Sequence, residues 1–178
     1  LDLTAKYGTD ALRMGLVVGN TPGSDLALRE DKIKAYKLFA NKVWNLTRFV
    51  LSVTDEGMSD YDEKSITPAD REILKNLDAV CADITLDMEN YRFYLAGEKI
   101  YHYIWNTFAD NILEASKVRL ASDDESVKLS LRITLRRILE TSLTLLHPFM
   151  PFVTEEIWSH LPNRTTPLLV TPWVVPKE

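Results

Sequence analysis

The stretch from Lys32 to Val53 carries the side chains best suited to binding another molecule. Wound as an α-helix, it places cations and amides on one face and an apolar stripe on the other. The polar face consists of Lys34, Lys37, Asn41, Lys42, Asn45 and Arg48, with Leu38 and the ring of Phe49 projecting among them. Cations bind phosphates and a flat ring is a surface on which a nucleobase stacks, so this face is a candidate RNA-binding surface. The alternative is that Phe49 covers a neighbouring helix or loop, because scattered exposed apolar residues are ordinary.

A second basic stripe lies nearer the C-terminus. Lys128, Arg132 and Arg136 are spaced so that they fall on one side of a helix. These side chains are candidates for further phosphate contacts. They equally fit a solvated helix face with ion pairs to Glu125 and Glu140, which is the commoner arrangement.

No group of residues predicts a catalytic or metal site. Cys81 is the single cysteine and the three histidines are scattered, so neither a zinc spacing nor an internal disulfide is possible. Glycine-rich phosphate loops and the common hydrolase motifs are missing. We expect His102 to be a partly exposed bundle residue, His147 to lie at a helix end and His160 to be a surface residue. Glu155 and the next glutamate are expected to stabilise a helix N-terminus.

The composition predicts a folded domain that binds nucleic acid only through a local patch. The chain has 178 residues, 46% of them hydrophobic, which excludes a disordered chain. Its net charge of −5 gives no general attraction for nucleic acid, so any such binding depends on a local basic surface. The single cysteine fits a reducing, cytoplasmic compartment, and no apolar run approaches the ~20 residues of a membrane span. The chain starts at Leu1 in mid-pattern, which suggests a piece of a longer protein.

Apolar periodicity and helix stop signals predict an all-α antiparallel bundle. Two short helices should end at Gly8 and Gly19, and a short strand is predicted at Asp25–Arg29, paired with sequence outside this chain. Long helices are predicted at about 32–53, 67–88, 90–120 and 124–146, with a short one at 153–161. Trp44, Trp105 and Trp158 are expected in the core, and Trp173 is expected to pin a Pro-rich, extended tail to the bundle.

Six segments of the chain resemble, in order and spacing, the C-terminal part of the valyl-tRNA synthetases. They are KYGTDALR (6–13), NTPGSDLALRED (20–31), FANKVWNLTRFV (39–50), NYRF (90–93), IYHYIWNTFAD (100–110) and LLHPFMPFVTEEIW (145–158). The last segment is shared among the class I synthetases for valine, isoleucine and leucine, whereas NKVWN followed by RFV, after the PGSD loop, is specific to the valine enzymes.

The resemblance implies both a domain organisation and a function. Residues 1–29 would end a stem-contact fold that follows the KMSKS loop, 30–162 would form the α-helical anticodon-binding bundle, and 163–178 the tail. The bundle would read the middle adenosine and third-position cytidine of the valine anticodon, with Lys42, Arg48 and Phe49 as its main contacts. ATP with Mg²⁺ would bind in an upstream catalytic domain of the same protein, in the cytoplasm, while this chain would bind no cofactor.

The chain also departs from the family pattern. Where the family often has an aromatic-rich stretch, this chain has Ala109-Asp110-Asn111-Ile112, which we interpret as core variation. The C-terminal coiled coil of bacterial family members is not found within these 178 residues. The HIGH and KMSKS signatures are also absent from them, so the chain alone is expected to be inactive. Two alternatives remain: the equivalent domain of a leucyl- or isoleucyl-tRNA synthetase, and a helical bundle that binds proteins through Leu38 and Phe49.

Overall fold

A computed structural model describes residues 2–20, 23, 28–54 and 63–174. The described chain is almost entirely helical, and none of its residues lies in a β-strand. Its helices are α1 (Asp2–Tyr7), α2 (Thr9–Val17), α3 (Glu30–Val53), α4 (Pro68–Glu89), α5 (Phe93–His102), α6 (Glu114–Leu120), α7 (Glu125–Leu146) and α8 (Pro151–Ser159). Short 3-10 turns occupy Glu63–Ser65 and Leu168–Val170. The all-α prediction is confirmed.

Local sequence signals set the starts of two long helices. The Thr67 hydroxyl accepts a hydrogen bond from the Asp70 backbone N–H at 3.3 Å, and Pro68 occupies the first turn of α4. Asp124 caps α7 in the same way, its carboxylate accepting from the Ser126 backbone N–H at 2.9 Å. Such caps satisfy backbone donors that have no partner inside the helix.

The predicted third long helix is continuous but not uniformly wound. Between α5 and α6 the chain stays helical through a π-helical segment, Tyr103–Leu113. Hydrogen bonds in a π-helix reach one residue further than in an α-helix, so the side chains of this segment leave the 3.6-residue register. Trp105 and Asp110 lie in this segment and face α3, as described below.

The core is built around α7. This helix packs against α3, α4, α5, α6 and α8. Thirteen of its residues are buried, among them Leu131, Leu135, Ile138, Ser142 and Leu145, at the spacings of three and four that mark one face of a helix. A helix that is buried along most of its length is the central element of a bundle.

Ion pairs fix how α4 and α5 meet. Lys99 pairs with Asp83 and Asp87 at 2.7 and 2.6 Å, and Arg92 pairs with Asp87 at 2.8 Å. Because positions earlier in α4 pair with positions later in α5, the two helices are antiparallel, as predicted. Asp87 is almost completely buried, so its carboxylate needs these partners.

The N-terminal helices pack into the same core as the bundle. The Asp10 carboxylate accepts hydrogen bonds from the Phe152 and Val153 backbone N–H groups at 3.2 and 2.6 Å, and so caps α8. Burial raises the pKa of Asp10, although these two donors oppose the shift. Met14 of α2 is completely buried. The proposed domain boundary at residue 29 therefore stays a prediction.

Two further expectations concern loops and the tail. Most of the predicted strand at Asp25–Arg29 lies outside the described residues, and Leu28 and Arg29 are not in a strand. The Trp173 indole donates a hydrogen bond to the Thr85 hydroxyl at 2.9 Å, so the prediction that this residue pins the tail is confirmed.

Glu155 has a different role from the one predicted. It lies beyond the first turn of α8, so it does not stabilise that N-terminus. Its carboxylate instead accepts hydrogen bonds from the Leu168 and Leu169 backbone N–H groups at 2.8 and 3.1 Å. This contact caps the 3-10 turn of the tail and holds it against α8.

Candidate nucleic-acid interface

Helix α3 presents its cations and amides to solvent along one face. Its buried residues are Ile33, Tyr36, Phe39, Val43, Leu46, Thr47 and Val50. Its exposed residues include Lys34, Lys37, Asn41, Asn45 and Arg48, and Leu38 is 54% exposed among them. The predicted contrast between the polar face and the core face is confirmed for these residues.

The cations of this face differ in how free they are. Lys34 and Arg48 have no hydrogen-bond or ion-pair partner among the described residues. Lys37 donates to the Lys6 backbone carbonyl at 2.9 Å and lies 5.9 Å from the centre of the Tyr7 ring. A cation without a local partner keeps its full charge for an incoming phosphate. Lys34 and Arg48 are therefore better placed than Lys37 to bind a phosphate.

Lys42 is held by the π-helical segment. Its ammonium pairs with the Asp110 carboxylate at 2.7 Å and lies 4.0 Å from the centre of the Trp105 ring. Its side chain is 25% exposed. Asp110 is therefore not a core residue, as its segment was interpreted to be, but a solvent-exposed partner of Lys42. To contact RNA, Lys42 has to exchange this carboxylate for a phosphate.

Two aromatic residues of α3, Phe49 and Trp44, are placed opposite to expectation. Phe49 is half-buried and packs against the core, so the expectation that its ring points away from the core is wrong. Trp44, predicted to be in the core, is 36% exposed. At 3.6 residues per turn both lie roughly 100° or more from the centre of the buried face, on opposite sides of it. The helical pattern cannot separate two such flanking positions, because neighbouring helices decide which flank is covered.

Trp44 forms one wall of a cleft between α3 and α8. The cleft has a volume of about 460 Å³ and is lined by Trp44, Thr47, Arg48, Leu51, Ile157 and His160. The centres of the Trp44 and His160 rings are 5.8 Å apart, and the planes of the two rings meet at 87°. His160 in turn lies 3.3 Å from Glu156, so its ring is oriented by a carboxylate. The cleft thus joins an exposed aromatic ring, an unpaired guanidinium and an apolar floor.

The second basic stripe, on α7, is not an open cationic surface. Lys128 pairs with Glu125 at 2.7 Å, and Arg136 pairs with Glu140 at 2.6 Å, as the alternative interpretation predicted. Arg136 is only 8% exposed, so the expectation of a solvated face is wrong at this position. Arg132 between them is half-buried. A phosphate contact by this stripe remains a prediction, and the geometry favours it less than a contact by α3.

The other titratable groups in the described part of the chain show no catalytic arrangement. His147 lies at the end of α7 with Nδ1 2.8 Å from the Thr154 hydroxyl, and burial lowers its pKa. Burial raises the pKa of the Cys81 thiol to about 12, which keeps it protonated and unreactive at neutral pH. Within the described residues, no group of His, Cys, Asp and Glu is arranged to hold a metal ion, and no helix is long and apolar enough to cross a membrane.

Comparison with known proteins identifies relatives for the whole chain. Residues 70–178 match a family described as the anticodon-binding domain of tRNA ligase. The chain is 40% identical over 184 residues to the valine–tRNA ligase of Bacillus subtilis, with 100% of this chain and 21% of that protein covered. It is 39% identical over 182 residues to the valine–tRNA ligase of Bacillus cereus, covering 100% of this chain and 20% of the relative. The chain therefore spans about a fifth of the length of these relatives.

A solved structure shares the fold. It is a LeuRS from Agrobacterium radiobacter, determined as a ternary complex with tRNA and LeuAMS. The superposition has a TM-score of 0.73 at 20% identity and covers 98% of this chain and 20% of that one. At this low identity the similarity establishes the helical arrangement alone.

Proposed function

The chain belongs to the family of anticodon-binding domains of tRNA ligases, and from this premise we propose that it is the anticodon-recognition part of a valine–tRNA ligase. The observation that carries the proposal is the exposed polar face of α3. The chain is acidic overall, with a net charge of −5, yet α3 presents Lys34 and Arg48 to solvent without partners among the described residues. A local basic surface on an acidic protein attracts a polyanion to one place.

The residues of α3 divide the recognition between backbone and bases. Lys34, Lys37 and Arg48 contact phosphates of the anticodon loop. Amide side chains hydrogen-bond in both directions, so Asn41 and Asn45 suit the edges of unpaired bases. Phosphate contacts position the RNA, whereas base contacts supply specificity.

Lys42 and Phe49 act under constraints that the bundle imposes. Lys42 reaches the RNA by leaving Asp110, which is 55% exposed and rehydrates readily. Phe49 offers the part of its ring that is not packed against the core, so its stacking contribution is smaller than that of a free ring.

The relatives of this chain are valine–tRNA ligases, and we propose the same activity for the whole protein. In this proposal a catalytic domain outside the 178 residues joins valine to tRNA with ATP and Mg²⁺, in the cytoplasm. The chain alone should show no valine-dependent pyrophosphate exchange, because it contains no nucleotide-binding motif. Exchange above background in a clean preparation would contradict this.

Binding to an RNA hairpin tests the proposal. The hairpin carries the anticodon loop of a valine tRNA, and a second hairpin carries a leucine or isoleucine anticodon. We expect tighter binding to the valine hairpin and a steep decrease of log K with log salt. Preference for the leucine or isoleucine loop would assign the chain to that specificity instead.

Arg48→Ala identifies the kind of contact that this residue makes. If Arg48 contacts phosphate, the salt slope falls by about one and both hairpins lose affinity alike. If it contacts a base edge, the valine hairpin loses about 1–3 kcal/mol more than the other. The matched control is Lys75→Ala, which removes an equal charge from the exposed face of α4 and should leave binding nearly unchanged.

The alternative of a protein-binding bundle makes the opposite prediction. Leu38 is 54% exposed beside the cations of α3 and could anchor an apolar partner. An apolar interface is far less sensitive to salt than phosphate contacts. Weak hairpin binding that is insensitive to salt and to the anticodon would therefore favour the protein-binding function.

A further inference from the structure

Of the residues that line the cleft between α3 and α8, only Arg48 belongs to the interface predicted from the sequence. The aromatic wall of the cleft, Trp44, was assigned to the core, and His160 was assigned to the plain surface. In the structure the two rings pack edge to face, with their centres 5.8 Å apart and their planes at 87°. A pair of perpendicular rings above an apolar floor forms a corner that fits a flat, rigid group.

The charge beside the cleft indicates what kind of flat group it takes. Arg48 follows Trp44 by one helical turn, lines the same cleft and has no partner among the described residues. An apolar protein side chain placed against Trp44 would leave this guanidinium unpaired at the interface, which is costly. A nucleotide satisfies both residues, because its base stacks on the ring and its phosphate pairs with the cation.

We propose that Trp44 and His160 form a subsite for one unpaired base of the bound RNA, with Arg48 on an adjacent phosphate. This inference rests on the proposed function, since it places a particular base-binding contact within the RNA surface. It moves the main stacking platform of α3 from Phe49, which packs against the core, to Trp44.

Two substitutions at Trp44 separate stacking from folding. Trp44→Ala removes the ring and should weaken binding of the 178-residue chain to the valine hairpin by roughly 5- to 150-fold, the range measured for base–aromatic stacking. Trp44→Phe keeps a flat ring and should retain most of the affinity. The control is Phe93→Ala, which removes an aromatic ring of α5 that is 43% exposed and lies outside the cleft. Thermal unfolding of each variant checks that the bundle is intact.

Tryptophan fluorescence gives a second, independent measurement. A base stacked on an indole quenches its emission, so titration of the wild-type chain with the hairpin should lower the signal. Trp44→Phe leaves the other three tryptophans in place and should abolish the quenching while binding persists. Hairpins with single abasic loop positions then locate the base, because Trp44→Ala should cost nothing further on one of them.

The outcomes distinguish failure of the subsite from failure of the proposed function. If the wild-type chain binds the valine hairpin and Trp44→Ala binds it equally well, the subsite is wrong and the proposed function stands. If quenching is unchanged in Trp44→Phe, another tryptophan reports the RNA and the subsite is again wrong. If the wild-type chain does not bind the hairpin at all, the proposed function is contradicted and the subsite falls with it.

Discussion

A buried ion pair between α4 and α6 provides the sharpest test of how the bundle is held together. The Asp70 carboxylate is completely buried and accepts hydrogen bonds from the two terminal nitrogens of Arg119 at 2.6 and 2.7 Å. It also accepts from the Ser130 hydroxyl of α7 at 2.5 Å. Three helices therefore depend on one carboxylate, and the substitution Arg119→Met removes its strongest partner while keeping an apolar stem.

The expected loss follows from the geometry. Hydrogen bonds to charged groups contribute about 1.5–3 kcal/mol each, and breaking a buried ion pair costs about 3–5 kcal/mol. The Arg119 side chain is 28% exposed, so water partly screens the pair. We therefore expect Arg119→Met to lower the free energy of unfolding by about 3 kcal/mol, near the lower end of that range.

Denaturant unfolding followed by circular dichroism measures this loss. The matched control is Lys117→Met, which breaks the exposed pair of α6 with Glu114 and should cost well under about 1 kcal/mol. The double variant with Asp70→Asn should recover part of the loss, because the uncompensated buried charge is then gone. An Arg119→Met variant no less stable than Lys117→Met would refute the reasoning.

The stability lost in Arg119→Met should depend on pH. Burial raises the pKa of Asp70, but the hydrogen bonds from Arg119, Ser130 and Thr67 outweigh burial and hold that pKa below its ordinary value. The stabilisation is therefore fully present above the unfolded-state pKa of about 3.9 and disappears as the pH falls through the folded-state pKa. The difference in stability between wild type and Arg119→Met should narrow below about pH 4.

Three further substitutions or measurements test other parts of the molecule. In Gly97→Ala the new methyl group lies 2.7 Å from a Val18 side-chain carbon, so α5 must shift away from the end of α2. We expect a lower melting temperature and a net loss of about 1 kcal/mol in the free energy of unfolding, because the better helix propensity of alanine offsets only part of the clash. Asp110→Asn releases Lys42 and should strengthen hairpin binding by up to about fivefold at low salt; unchanged affinity would show that Lys42 does not contact the RNA. The Cys81 thiol, buried with its pKa raised to about 12, should not react with a thiol reagent until the chain unfolds, and rapid native-state labelling would contradict its placement.

The starts of α4 and α7 were determined by local sequence. The cap at Thr67 followed by Pro68, and the cap at Asp124, act through backbone groups within a few residues, so their effect is visible in the sequence itself. The inward positions of α7 follow from helical periodicity alone. The resemblance of six segments to the valyl-tRNA synthetases, confirmed by the comparisons, also needed only the order and spacing of residues.

Tertiary structure decided which side chains of α3 are exposed and which cations already have a partner. Trp44 and Phe49 occupy equivalent flanks of α3, and only the packing of other helices exposes one ring and covers part of the other. Lys42 meets Asp110 across 68 residues of sequence, and Asp70 meets Arg119 across 49. Periodicity tells which way a side chain points on its own helix, but pairs so far apart in sequence exist only once the helices have packed, because packing sets which carboxylate lies within reach of which cation.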